Sequence, residues 1–114
     1  MAKRNSTART SKSLVERYQE AAPQLYALQF EIRELAKKKA EATLSKGKVS
    51  LINRVLQDIK EHFSEQSGGK YLQLLDDEAL PQLSDAVLII AQFAAVLSEF
   101  KERYYNFDDG WLTK

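Results

Sequence analysis

Three side chains have the types and spacing for acid–base chemistry. Arg54, Asp58 and His62 stand at i, i+4 and i+8. On a helix, residues so spaced share one face, so Asp58 can orient His62 as a general base while Arg54 meets an anion. The competing reading is a surface charge ladder worth about 0.2–0.5 kcal/mol per pair. The rest of the chain offers this trio no support. There is one histidine and no cysteine, which excludes a thiol nucleophile and a multi-His metal site within one chain. Asp76-Asp77-Glu78 and Asp108-Asp109-Gly110 carry oxygen ligands, but without the alternating spacing of a calcium loop. No phosphate-cradling glycine loop, G-x-S-x-G elbow or H-E-x-x-H motif appears. The ladder is read as structural, and the expectation is a non-enzymatic protein with no catalytic residue, metal or cofactor.

Basic residues supply a second kind of chemistry. Lys3, Arg4, Arg9 and Lys12 fall in an acid-free stretch, residues 1–13, that has no periodic apolar positions. It reads as a disordered basic arm, without the apolar core of a secretory signal. Lys37, Lys38 and Lys39 form a run further on. Together these residues could contact phosphates, which gives an alternative reading as an accessory nucleic-acid-binding subunit. A lysine run near a helix end also simply suits the helix dipole. Seventeen Lys/Arg against sixteen Asp/Glu leave a net charge of +1, which excludes a uniformly basic binder. The charge is uneven, however. Residues 33–60 carry a local +5 and residues 71–109 a local −6. Complementary patches of this kind can steer a partner or a second copy.

The elements that must position these residues are helical. The chain has 114 residues, 44% of them hydrophobic, and only six Gly and Pro. That suits one all-α domain, residues 14–114, around a single core. Leu14, Tyr18, Ala21, Leu25, Leu28, Ile32 and Leu35 recur in steps of four and three, the signature of an amphipathic helix. Pro23 interrupts the seam, so a kink or break is expected there, leaving an N-terminal helical segment before a helix over residues 23–44. Tyr26 and Phe30 lie about 120° from the main stripe and imply a second neighbour. Gly47 reads as a C-terminal cap and Ser50 as the cap of a middle helix carrying Ile52, Val55, Leu56, Ile59 and Phe63. Ser67-Gly68-Gly69 ends that helix, and Tyr71–Leu75 suggests a short connecting helix. A last helix opens near Ser84 and runs to about Tyr105. The expected architecture is an antiparallel bundle of three main helices, because short connections favour antiparallel neighbours.

The last helix is apolar over most of its circumference, with Asp85, Gln92, Glu99 and Arg103 confined to one stripe. Its apolar run, residues 86–97, falls short of the ~20 residues of a membrane span, so a cytoplasmic protein with no membrane partner is expected. One side is built from Ala91, Ala94, Ala95 and Ser98. The Leu88–Ala95 edge has no obvious intramolecular cover except residues 14–22. A homodimer formed through Leu88, Ala91, Ala95 and Ser98 would cover it otherwise. The aromatic tail, with Tyr104, Tyr105, Phe107 and Trp111, is either a partner surface or a flap over the end of the bundle. The leading expectation is a helical interaction module that self-associates or joins a larger assembly.

Overall fold

The computed structural model describes residues 8–114. Three helices pack together: α1 (Lys12–Lys39), α2 (Lys46–Phe63) and α3 (Leu83–Tyr104). A two-stranded hairpin follows, β1 (Tyr105–Asn106) and β2 (Gly110–Trp111). The fold is all-α, with this hairpin as a C-terminal appendage.

Helix α1 is one helix and runs through Pro23, so residues 14–22 do not form a separate segment. Pro23 sits on the exposed face, as does Gln19, whose carbonyl loses its usual donor to the proline ring. Water can satisfy that carbonyl, while Ala21, Ala22 and Leu25 hold the chain on the core from both sides of the proline. Ser11 caps the start, its hydroxyl accepting from Leu14 N–H at 3.0 Å.

The α1–α2 junction falls earlier than the glycine pattern predicts. Ser45, not Ser50, caps α2, and Gly47 lies inside its first turn. The cause is Leu44, which is buried and whose N–H donates to the Pro81 carbonyl at 2.9 Å. Anchoring Leu44 ends α1 at Lys39 and forces the chain to turn before Gly47. Helix α2 then buries Val49, Ile52, Leu56, Ile59 and Phe63 on one face.

The link from α2 to α3 is a strap rather than a helix. After a 3-10 turn at Gly69–Tyr71 it continues extended, with Leu72 and Leu75 buried. Asn53 of α2 clasps it: Nδ2 donates to the Leu75 carbonyl (3.0 Å) and Oδ1 accepts from Leu75 N–H (2.9 Å). A side-chain amide here does what a neighbouring strand would do for an extended backbone.

Helix α3 opens with Asp85 Oδ2 accepting from Gln82 N–H at 3.3 Å. It is long and apolar enough to cross a membrane by length and composition alone. Part of that apolar surface serves the core: Ile90, Phe93, Leu97 and Phe100 are fully buried or nearly so. Its most extensive packing is against α1. At one end of the molecule Phe100 stacks on Tyr18 of α1 (ring centroids 5.7 Å) and meets Phe63 of α2 edge-on (5.2 Å). At the other end, Ala42 and Ala40 carbonyls accept from Leu83 and Ser84 N–H groups at 2.8 and 3.0 Å.

Candidate interaction surfaces

The tail completes the aromatic end. Trp111 lies 5.2 Å from Tyr18, 5.8 Å from Phe100 and 5.2 Å from Tyr105, ring to ring. The backbone locks this arrangement, with Leu112 N–H donating to the Tyr104 carbonyl (2.7 Å) and Thr10 N–H donating to the Leu112 carbonyl (3.0 Å). Tyr104 and Trp111 are half-buried, whereas Tyr105 is at the margin of exposure. Phe107, at the hairpin tip, is 96% exposed. The four tail aromatics therefore divide, three against the bundle and one in solvent. Burial raises the Tyr18 phenol above its ordinary pKa, and the neighbouring Tyr26 phenol adds to the effect.

The α3 surface has a distinct boundary. Ala94 is buried, while Ala91, Ala95 and Ser98 are exposed and Leu88 is 67% exposed. The Tyr26 and Ser98 hydroxyls, 3.0 Å apart, mark where α1 meets this edge. Phe30 stands one turn beyond Tyr26 and is 65% exposed, so the second neighbour expected for this pair reaches Tyr26 alone. On α3, Ala95, Ala91 and Leu88 continue the exposed stripe that starts at Ser98.

The basic residues fall into two groups. Lys3 and Arg4 lie outside the described residues. Arg9, which precedes α1, and Lys12, its first residue, are exposed, and Lys37, Lys38 and Lys39 are exposed at its end. Twenty-eight helical residues place the two groups roughly 40 Å apart. Lys37 pairs with Glu34 at 2.9 Å. Lys38 and Lys39 instead join Lys48, from the first turn of α2, around a cavity of about 340 Å³. Leu35, Ala42, Thr43, Leu44 and Leu83 complete its lining, with no carboxylate among the described residues. Lys48 was not a candidate from sequence, because only the early start of α2 brings it beside the α1 terminus.

The Arg54–Asp58–His62 ladder stays on α2. His62 Nδ1 donates to the Asp58 backbone carbonyl at 2.9 Å, and its contact to Asp58 Oδ1 is 3.5 Å. The Nδ1 proton is thus directed mainly at the backbone of the same helix. Arg54 is exposed and lines the α1–α2 groove with Glu20, Gln24, Leu51 and Asp58. Among the described residues, no three or more potential metal ligands converge. Asp76 is tied into its own turn, accepting from Glu78 and Ala79 N–H groups at 2.8 and 3.1 Å. Those bonds hold its carboxyl below the ordinary pKa. Comparison with known proteins finds no matching family model, no matching curated protein and no matching solved structure.

Proposed function

We propose that this protein is a non-enzymatic helical interaction module of the cytoplasm that forms a homodimer through Leu88, Ala91, Ala95 and Ser98, with Phe30 on the same face. The observation that carries this reading is the exposure of Leu88, 67%, on the same helix that buries Ile90, Phe93, Leu97 and Phe100. A contiguous apolar face of this kind is the ordinary mark of a protein contact. Small residues on α3 let a second backbone approach closely, and Phe30 offers a bulky group to fill the trough. A two-fold axis would set each Phe30 against the small residues of the other copy. The reading also takes α1 as antiparallel to both α2 and α3, with the strap returning the chain between them. That arrangement leaves the shared α1–α3 face on the side away from α2. In sedimentation at micromolar concentration, Leu88→Glu is expected to convert dimer to monomer while the circular dichroism stays helical. A wild-type monomer throughout would overturn the proposal.

A second reading, nucleic-acid binding, is favoured by the convergence of Lys38, Lys39 and Lys48 at one end. Binding would then weaken steeply with salt as phosphate counterions are released. Replacing Lys37, Lys38 and Lys39 by Gln would flatten that salt dependence. Absence of a mobility shift at low salt would remove it.

A further inference from the structure

The tip of the C-terminal hairpin and the lysine-rimmed cavity are at opposite ends of the molecule, and they are complementary. At the tip, Phe107 is 96% exposed and is followed by Asp108 and Asp109, both exposed. The turn that presents it is preorganised. Asp109 N–H donates to Asn106 Oδ1 at 2.7 Å, Asn106 Nδ2 approaches Asp109 Oδ2 at 3.4 Å, and Gly110 adopts a φ of 70°, a region that favours glycine. An apolar ring held out by a fixed turn, beside two carboxylates, is an anchor that loses little entropy on docking.

The cavity has the opposite character. Leucines and lysines line it. None of Lys38, Lys39 and Lys48 has a carboxylate within ion-pair distance among the described residues. Lys46 and Lys48 also occupy the first turn of α2, which contains no acid. Cations there oppose the helix dipole, so the site gathers positive charge that its own helix does not compensate. An acidic group arriving from outside would relieve both repulsions. An isolated lysine run at a helix end needs no such partner, but lysines from two helix termini around an apolar hollow provide a receptor for an acidic, aromatic group.

We infer that a second copy of this chain supplies that group: Phe107, flanked by Asp108 and Asp109, docks in the cavity bounded by Lys38, Lys39 and Lys48 of the next molecule. Within one molecule the contact is out of reach. Helix α3, 22 residues and roughly 33 Å long, separates Leu83 at the cavity from the hairpin. The contact therefore joins separate molecules, either exchanged reciprocally between two antiparallel copies or repeated head to tail into a chain or ring. A single aromatic anchor gives a small interface of the transient class, sensitive to ionic strength.

The test uses the full chain carrying Leu88→Glu, so that the α3 face proposed above does not contribute. Sedimentation up to millimolar concentration should show mass rising beyond monomer at low salt and falling as salt is added. Phe107→Ala should weaken this association at least tenfold, as should the pair Lys39→Glu and Lys48→Glu. All three positions are exposed, and circular dichroism verifies that each variant is folded. Neither variant associates alone, but a mixture retains one intact tip and one intact cavity, and should form a 1:1 complex that grows no further. Monomer at every concentration, association unaffected by Phe107→Ala, or a mixture that stays monomeric would each overturn the inference.

Discussion

The Tyr26 hydroxyl lies 3.0 Å from the Ser98 hydroxyl, joining α1 to α3 across 72 positions of sequence. Both side chains are solvent-accessible, so water competes for the bond and its net contribution is small. Tyr26→Phe is expected to cost no more than about 1 kcal/mol. Ser98→Ala should cost a similar amount, and the double variant less than the sum, because each single change already removes the shared bond. Denaturant unfolding of the four proteins measures the coupling. Strict additivity would mean that the two hydroxyls do not interact in solution.

Asn53 carries more of the fold than an ordinary polar residue on a helix surface. Its amide satisfies both the N–H and the C=O of Leu75. Asn53→Ala leaves both groups unpaired in a partly buried place, an expected loss of about 2–3 kcal/mol. Hydrogen exchange should speed up at Leu75 N–H first, before the helices respond. Unchanged protection at that amide would refute the clasp.

Gly69 is constrained by space. A Cβ at this position would lie 2.3 Å from the Phe63 carbonyl oxygen and 2.4 Å from that of Ser64, both backbone atoms that cannot swing aside. Gly69→Ala should therefore displace the turn that follows α2 and lower the unfolding midpoint, by more than the roughly 1 kcal/mol that Gly and Ala differ in backbone preference. At Gly47 a Cβ meets nothing within 4 Å, and Gly47→Ala, inside α2, should be neutral or stabilising. Similar thermal melts for the two variants would contradict this account.

The Asp76 carboxylate is favoured in its charged form by two backbone N–H donors, so its pKa in the folded chain lies below the ordinary value. A depressed acid contributes stability above its unfolded pKa and loses it as pH falls through the folded one. The 76–79 turn should accordingly loosen only below the ordinary carboxylate range. An NMR titration should show Asp76, Glu78 N–H and Ala79 N–H shifting together, with a midpoint below the ordinary aspartate value. A midpoint at or above that value would remove the proposed cause.

The local periodicities were legible in the residues themselves. Steps of three and four placed the apolar faces of α1, α2 and α3, and the small side of α3 followed from the same arithmetic, because helix geometry repeats every 3.6 residues wherever the helix lies. Charge segregation between residues 33–60 and 71–109 needed only counting. Tertiary contacts decided the remainder. Pro23 stays within a single helix because its exposed face lets water meet the orphaned carbonyl while the opposite face is pinned to the core. Ser45 caps α2 in place of Ser50 because Leu44 is drawn inward and bonded to Pro81, a residue 37 positions away. The Tyr71–Leu75 segment is extended rather than helical because Asn53 offers it hydrogen bonds from another element. Lys48 reaches the cavity of Lys38 and Lys39 for the same reason, the early start of α2. Each of these outcomes depends on a partner distant in sequence, and no local pattern of residues encodes which partner the folded chain brings near.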